Sequence, residues 1–527
     1  MTKAKFFLAV LTVAAAMLLA SNCYAQSNIA PLFNAVGSSG AFNSFALAAA
    51  ISNPGGQSGV CGDHNWTLKN GAMGIDNRGD ANIAAVTGNV WIVWNDTPEP
   101  NRTVCAYLNI DSVIGQRLFF GSPQGSLSLP SSDVGANGGN LVPLLPPDTP
   151  LPQNIYDDLN NQTFNAAPSD IRPEDALFAT NRALAPYTSN ASGLGYGPGP
   201  VGATILSAFS SKTAQVVGYA ITGNDPITGQ RVVSATATDV GAQVMLVLVN
   251  TTDTGPAGLG NVIFNNVDRF VLGSVLAGQL YLTRDLVPSS GLPAVGMDII
   301  TREPTSGTMN TTEFSLTRSV EVGLSQELGV NPTSDNPLNI SLNDNAKRQR
   351  AIGTGEEVSE IGSNADAIGY AFFSFGNVAG VLTTAKYLTV DGVDPLYAST
   401  SQNPNGPNAL PQCTAPCPGA VTFYNVINGS YPIWNVLRVV SANPVPTGIT
   451  AMITAAQNQV GNIPDFLAFG QLEVFRSHYT QSGVAPNNGH ERSGKESGGD
   501  VGGAVYTVQA DLDFIADTGA QIINRKQ

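Results

Sequence analysis

The middle of the chain reads Met297-Asp-Ile-Ile-Thr-Arg302-Glu-Pro-Thr-Ser306-Gly307-Thr308-Met-Asn-Thr-Thr-Glu313-Phe314. This pattern predicts a short apolar strand that ends at Arg302, then a turn, then a helix that opens on Ser306, Gly307 and Thr308. An oxyanion at that opening would meet main-chain N–H groups and the positive end of the helix dipole. Two hydroxyl groups and the forked guanidinium of Arg302 would add further donors. The alternative is that the hydroxyls only cap a helix and that Arg302 is solvated.

The composition limits the class of protein. A length of 527 residues allows two or more domains with full cores. The 12% of charged residues, 56 Gly and 34 Pro indicate a globular chain rich in strands and turns. The formal charge of −15 argues against nucleic acid or an anionic membrane surface as a partner. It does not argue against a small anion, because a buried site binds through local dipoles and a few cations.

The N-terminus is predicted to be an export signal, residues 1–25. Lys3 and Lys5 precede an apolar run over 6–20, which is shorter than a membrane-spanning helix. We expect cleavage after Ala25 and a mature protein in the periplasm or secreted. A lipid anchor on Cys23 is the alternative, which the polar Asn22 disfavours.

Four cysteines remain after removal of the signal: Cys61, Cys105, Cys413 and Cys417. An even number in an oxidising compartment indicates disulfides, and four cysteines allow three pairings. The simplest pairing joins Cys61 to Cys105 and Cys413 to Cys417. A metal site is disfavoured because none of the three histidines lies at ligand spacing to these cysteines. We therefore expect neither a metal nor a cofactor.

Three further strand-to-helix turns resemble the central one in character. Residues 35–50 form a strand end, a Gly/Ser turn and an alanine-rich helix. Strand patterns over 89–94 and 104–108 predict one or two hairpins, and the second leads to Ser112 at the mouth of a helix. Ser169 and Asp170 stand ahead of another predicted helix. Asp170 can face a ligand there, or act only as a cap.

The rest of the chain predicts alternating strands and helices. Residues 122–168 are rich in Gly, Pro, Ser and Asn and are expected to form surface loops. Strands are predicted at 214–221, 243–249, 267–272, 365–373 and 430–440. Strands separated by helix-length segments indicate α/β units with ligands at the carboxyl ends of the strands.

An ordered set of motifs carries a family resemblance. The set comprises Gly37 to Phe42, Tyr107 to Gly115, Ser169-Asp170, Arg302-x3-Ser306-Gly307-Thr308, Ala367-Ile-Gly-Tyr370, Ala385-Lys386 with Asp391-Gly392, and Tyr431-Pro432-Ile433. In this order the chain resembles the high-affinity phosphate-binding proteins that serve bacterial phosphate ABC transporters. The resemblance runs through most of the mature chain, with insertions near 50–100, 120–165 and 475–505.

The resemblance implies an α/β, two-lobed periplasmic-binding-protein (Venus-flytrap) fold, each lobe a mixed sheet flanked by helices. Lobe 1 would comprise 26–185 and 386–527, and lobe 2 would comprise 186–385. It implies a monomer that grips inorganic phosphate between the lobes and delivers it to a transporter permease. The ligand-binding residues would be Ser39, Ala41, Phe42, Ser112 and Asp170 on lobe 1, with Arg302, Ser306, Gly307 and Thr308 on lobe 2.

Two positions depart from the family pattern. The family has a threonine where this chain has Ala41, and an acidic residue where it has Pro304. Ser38 or Ser39 can supply the missing hydroxyl. The change at Pro304 puts the contact that orients Arg302 in doubt.

The hydrogen-bonding chemistry of phosphate also fits these residues, independently of the family resemblance. Hydrogen phosphate offers acceptor oxygens to hydroxyl, N–H and guanidinium donors, and one proton that needs an acceptor. Asp170 would be that acceptor, and it would repel sulfate because two acceptors would then face each other. Unpaired buried polar groups of this kind give strong discrimination.

Other functional classes fit less well. Residues 489–496 imitate a P-loop but carry Glu496 where the magnesium-binding hydroxyl belongs, and no strand precedes them. His64, His478 and His490 show no catalytic spacing, so we predict that the protein is not an enzyme. An extracellular structural or adhesive protein, or a secreted binder of another oxyanion or phosphorylated ligand, remains the alternative; no internal repeat favours the adhesin.

Overall fold

The computed structural model describes residues 29–50, 59–77, 85–121, 123–143, 145–171, 186–187, 190–193, 235–276, 278–302, 306–317, 340–341, 343–351, 353–412, 421–458, 466–468, 471–472, 474–477 and 522–525. The export signal, the strand expected at 214–221, the P-loop imitation, Cys413, Cys417, Pro304, His478 and His490 lie outside them. In the described part, no helix combines the length and the apolar character needed to cross a membrane.

The described strands are β1 (Phe33–Ser38), β2 (His64–Ile75), β3 (Ala85–Trp94), β4 (Val104–Ile110), β5 (Ser126–Ser128), β6 (Ala166–Ser169), β7 (Pro186–Tyr187), β8 (Asn190–Gly193), β9 (Ala235–Asn250), β10 (Asn266–Val267), β11 (Asp298–Arg302), β12 (Ile340–Ser341), β13 (Lys347–Ala351), β14 (Ala367–Phe372), β15 (Ala385–Val390), β16 (Trp434–Ala442), β17 (Leu467–Ala468), β18 (Val474–Ser477) and β19 (Ile522–Arg525).

The described α-helices are α1 (Phe42–Ala50), α2 (Ser112–Phe120), α3 (Gln153–Leu159), α4 (Arg269–Leu276), α5 (Gly307–Thr317), α6 (Thr354–Ser363), α7 (Phe375–Val378), α8 (Tyr424–Ile427) and α9 (Thr447–Gln457). Short 3-10 turns include Ser39–Ala41, which joins β1 to α1.

One mixed sheet of 15 strands runs through the described residues, and it serves two lobes. Its order is β12-β13-β11-β14-β9-β16-β6-β1-β4-β3-β2-β5, with β10, β15 and β17 attached at its side. The first-lobe strand β4 is covered on both faces. Along β4, Val104, Ala106 and Leu108 join one core while Cys105 and Tyr107 join the other, as the period-2 alternation of a strand requires.

The second lobe has a core of its own, built on β9, β11, β14 and β15. β9 belongs to both lobes: Val240 packs in a first-lobe core and Val244 packs in the second-lobe core. Its antiparallel partner β16 also belongs to both lobes: Val436 packs in the second-lobe core and Val439 packs in a first-lobe core. The predicted two-lobed α/β class, with mixed sheet flanked by helices, is confirmed.

The lobe division differs from the predicted one in its second boundary. The prediction placed residues from 386 onward in lobe 1. Described residues across 385–433 instead share the second-lobe core, including Leu388, Tyr397 and Phe423. The cause is that β15 pairs with the carboxyl-terminal half of β9, so the chain returns to the first lobe only within β16.

Two local predictions are corrected. Residues 267–272 were expected to form a strand, but α4 begins at Arg269 because Asp268 accepts from the N–H of Phe270 at 2.8 Å and caps a helix. Residues 122–168 were expected to be surface loops. They include β5 and α3, and Leu151 and Leu159 lie fully buried in a first-lobe core.

The predicted pairing of Cys61 with Cys105 is confirmed by a disulfide between them, with the Cα atoms 5.9 Å apart. It ties the segment before β2 to β4 in the first lobe. Both cysteines are buried.

We expect the double variant Cys61→Ser/Cys105→Ser to lose up to about 4 kcal/mol of unfolding free energy, because the bridge closes a loop with a sequence separation of 44. Denaturant unfolding of the oxidised protein measures it. The matched control is Cys413→Ser/Cys417→Ser, whose shorter predicted loop should give a smaller loss. Free thiols at Cys61 and Cys105 in non-reducing peptide maps would contradict the bridge.

Candidate functional site at the lobe interface

Three neighbouring parallel strands of the first lobe end at one edge of the sheet. β1 lies between β4 and β6 and runs parallel to both. β1 leads into the turn Ser39–Ala41, β4 leads into Asp111 and Ser112, and β6 leads into Asp170. Because parallel neighbours share the edge that holds their carboxyl ends, the three turns predicted from sequence converge.

The second lobe repeats this arrangement. β11 lies between β13 and β14 and runs parallel to both. It ends at Arg302, and α5 then begins at Gly307 with the Ser306 hydroxyl accepting from the N–H of Met309 at 3.3 Å. Ser306 therefore caps the helix, and its hydroxyl hydrogen is still able to donate. Arg302, Ser306 and Thr308 are each at most 3% exposed.

The two edges meet at Asp170 and Gly307. The Asp170 carboxylate is buried and accepts a hydrogen bond from the Ser112 hydroxyl. It also packs against the first turn of α5 so closely that a Cβ atom at position 307 would lie 1.7 Å from its Oδ1. Only glycine permits this approach of backbone to carboxylate. Ser112 and Asp170 of the first lobe are thus brought together with Gly307 of the second.

Arg302 links the lobes directly. One terminal nitrogen of its guanidinium donates to Asp111 Oδ1 across the interface at 2.9 Å. The other donates to Thr354 Oγ1 at 2.7 Å and lies 4.0 Å from Glu357 Oε2. Its main-chain N–H donates to the Tyr370 hydroxyl at 3.1 Å. The guanidinium is therefore hydrogen-bonded to residues of both lobes, Asp111 and Thr354.

Sequence reasoning missed Asp111, Thr354 and Glu357. It expected an acidic residue at 304 to orient Arg302, and Pro304 left that role unfilled. In the structure Asp111 fills it from the other lobe. Asp111 stands at the N-cap position of α2, where its carboxylate makes no capping hydrogen bond and contacts Arg302 instead. The sequence carried no signal for this contact, because an Asp before a helix is typical of a cap.

Burial raises the pKa of Asp170 above its ordinary value of 3.8, against the lowering effects of the Ser112 hydrogen bond and of the Arg302 and Arg438 charges. A carboxylate with a raised pKa holds a shared proton more strongly. Burial, together with the nearby Asp170 charge, also raises the pKa of Tyr107. The Tyr107 hydroxyl therefore stays protonated and donates to the main-chain oxygen of Ser38 at the first turn.

The first turn supplies mainly backbone. Ala41 and Phe42 are buried and pack in a first-lobe core, and the Phe42 carbonyl accepts from Trp91 Nε1 at 2.9 Å. Ser38 Oγ accepts from the N–H of Gly40 at 3.1 Å, so this hydroxyl stabilises its own turn. Ser39 is half-buried. Ligand contacts of Ser39, Ala41 and Phe42 stay a prediction.

Two stretches of the motif set have packing roles. Lys386 donates to the Asn261 carbonyl and to Asn265 Oδ1, each at 2.8 Å, within the second lobe. The Tyr431 hydroxyl donates to the Met245 carbonyl at 2.8 Å and lies in the second-lobe core. Lys386 and Tyr431 therefore stabilise the packing of the second lobe.

Candidate donors lie on both lobes, next to the contact between Asp170 and Gly307. The candidate donors are the hydroxyls of Ser306 and Thr308, the Arg302 guanidinium and the first-turn N–H groups of α2 and α5, which helix geometry leaves without intrahelical partners. The Ser112 hydroxyl hydrogen is donated to Asp170. The acceptor is Asp170. Such a set suits a small tetrahedral anion, and the acceptor suits one that carries a proton.

We expect Gly307→Ala to weaken anion binding at least tenfold, because the new methyl group forces the Asp170 carboxylate away from Ser112. The free energy of unfolding should also fall, because overpacking a buried contact costs about 1–3 kcal/mol and the helix preference of alanine over glycine offsets only about 1 kcal/mol of it. Gly355→Ala in α6 is the matched control, because a Cβ there meets no atom within 4 Å. Equal affinities in calorimetry for wild type and Gly307→Ala would contradict the close contact.

The fold and the site together define a two-lobed α/β protein with a polar, anion-compatible cluster at the lobe interface. No family model matches the chain, and no curated protein matches it significantly. Among solved structures, it is similar to one described as a phosphate ABC transporter substrate-binding protein with bound phosphate, from Clostridium perfringens, at 15% identity and a TM-score of 0.28, covering 44% of this chain and 72% of that one.

The chain is also similar to two other solved structures, an ABC-type phosphate transport receptor from Vibrio cholerae and PstS from Borrelia burgdorferi. The first has 13% identity and a TM-score of 0.25, covering 42% of this chain and 66% of that one. The second has 14% identity and a TM-score of 0.24, covering 43% and 67%. Similarity at such low identity and TM-score says nothing about the ligand of this chain. The proposal of a function is therefore argued from the residues of the site.

Proposed function

We propose that this chain is an extracytoplasmic solute-binding protein that captures inorganic phosphate between its lobes and delivers it, as a monomer, to an ABC transporter permease. The observation that carries the proposal is the contact between Asp170 and Gly307. It places a buried proton acceptor from one lobe against the N-terminus of a helix from the other, beside Ser112. A ligand held there touches both lobes.

The acceptor distinguishes between anions of the same shape. Hydrogen phosphate can donate its proton to Asp170 while its other oxygens accept from hydroxyl, guanidinium and N–H groups. Sulfate carries no proton at neutral pH, so an oxygen lone pair would face the carboxylate in a buried site. Each acceptor left unpaired in the buried site carries a desolvation cost of about 1–3 kcal/mol, and more for a charged group. Sulfate binding is weakened by that cost.

The extracytoplasmic setting and the delivery step rest on different features. The predicted export signal at 1–25 and the Cys61–Cys105 disulfide support an oxidising compartment. The ordered motif set shared with transporter-associated phosphate-binding proteins supports delivery to a permease. No catalytic step is part of the proposal.

Calorimetric titration of the purified, ligand-stripped mature chain tests the proposal. We expect tight phosphate binding, sulfate binding weaker by at least 100-fold, and a melting temperature that rises with phosphate because the ligand binds only the folded state. Arsenate and a small phosphate monoester complete the ligand series. A preferred monoester would point to a binder of phosphorylated solutes. An unmoved melting curve with every anion would contradict an oxyanion receptor and favour the structural or adhesive alternative.

A further inference from the structure

Two buried amide side chains stand opposite each other where the sheet passes from one lobe to the other. Gln243 on β9 and Asn435 on β16 are direct partners in the antiparallel register. They are 1% and 0% exposed. A register shift follows at Leu437/Arg438, and the packing of both strands changes from one core to the other across this segment.

Each amide reaches a different turn of the first-lobe site. Gln243 Nε2 donates to the main-chain oxygen of Gly40, in the turn before α1, at 3.1 Å. Asn435 Nδ2 donates to the main-chain oxygen of Asp170 at 3.1 Å. The Gln243 contact is tight, since a Cβ at Gly40 would lie 2.0 Å from Gln243 Oε1. The strand pair that joins the lobes thus holds two of the three converging turns.

The oxygen atoms of both amides are buried and have no hydrogen-bond partner in the described structure. An unpaired buried acceptor is costly, and an apolar side chain of the same shape would fill either position without it. Asn435 and Gln243 therefore cost stability where they stand. Their side-chain NH2 groups, however, each donate a hydrogen bond to a turn of the site.

We propose that Gln243 and Asn435 are positioning residues of the anion site with separate tasks. Asn435 fixes the main chain of Asp170 and so sets the angle at which its carboxylate meets the ligand. Gln243 fixes the Gly40 turn, which can offer only donors that any tetrahedral anion uses. The inference rests on the proposed function and deepens it: Asn435 governs selectivity between protonated and unprotonated anions, and Gln243 governs affinity for both.

The test uses near-isosteric variants of the mature chain, Asn435→Leu and Gln243→Met, titrated with phosphate and with sulfate. We expect Asn435→Leu to lower the phosphate-to-sulfate affinity ratio about tenfold, the effect of one lost hydrogen bond. Gln243→Met should weaken both anions by a similar factor and leave the ratio unchanged. Ser441→Ala is the matched control, because Ser441 lies on β16, is fully buried and has a hydroxyl with no hydrogen-bond partner among the described residues.

The outcomes separate this inference from the proposed function. If wild type prefers phosphate and Asn435→Leu keeps the full preference, the positioning role is wrong and the proposed function stands. If Ser441→Ala shifts the ratio as much as Asn435→Leu does, the effect is general loosening of β16 and the inference is again wrong. If wild type binds neither anion, both fail. Should Asn435→Leu not fold, Asn435→Ser, which is too short to reach the Asp170 carbonyl, gives the same ratio test.

Discussion

Arg302→Ala is expected to lower the affinity for phosphate and for sulfate alike, by at least about 30-fold. Truncating one partner of a buried, hydrogen-bonded charge pair costs about 2–5 kcal/mol. Arg302 is 1% exposed and donates to Asp111 at 2.9 Å. Its loss removes the charge-assisted donor and leaves the Asp111 carboxylate facing the incoming anion. Titration calorimetry with both anions measures the two losses.

Two variants sharpen this prediction. Arg302→Lys keeps the charge but loses the fork that contacts Asp111 and Thr354 together, so we expect an intermediate loss. Arg269→Ala is the matched control, because Arg269 lies on the same lobe in a partly exposed ion pair with Asp391 at 3.4 Å. It should leave both affinities unchanged. A selective loss of only one anion in Arg302→Ala would contradict the general role assigned to the guanidinium.

Asp170→Asn should change selectivity more than affinity. The amide replaces an acceptor-only carboxylate with a group that also donates. Phosphate should then lose its proton acceptor, and sulfate should lose its main repulsion. We expect the phosphate-to-sulfate ratio to fall by at least about 100-fold, or roughly 2.7 kcal/mol of differential binding. Competition binding with both anions checks it, and an unchanged ratio would return Asp170 to a capping role.

The stability of the same variant provides an independent control. Burial raises the folded-state pKa of Asp170 above 3.8, so ionising it costs stability in the folded protein. The stabilising effect of the protonated acid is fully present below the unfolded-state pKa and is lost as pH rises through the folded-state pKa. Relative to wild type, Asp170→Asn should therefore gain unfolding free energy as pH rises through that window. A stability difference between the variant and wild type that stays constant across this pH range would contradict the raised pKa of Asp170.

The local elements were predictable because their signals are local. The strand before Arg302 and α5 follow from an apolar run and a Ser-Gly helix opening within twenty residues of sequence. The hairpin of β3 and β4 follows from alternating apolar residues. The error at 267–272 has the same origin, since a six-residue apolar run fits either a strand or a helix, and the cap formed by Asp268 decided for α4.

Residue patterns were enough to predict the strand-to-helix turns before α1 and α2, the α/β class and the pairing of Cys61 with Cys105. Which turns meet depends on the tertiary structure. Arg302 and Asp111 are 191 residues apart in the chain, and Asn435 and Asp170 are 265 apart. Their contacts depend on strand order, on the register of β9 against β16 and on where the sheet passes between lobes. Those quantities arise from the packing of distant segments, so short sequence patterns do not encode them.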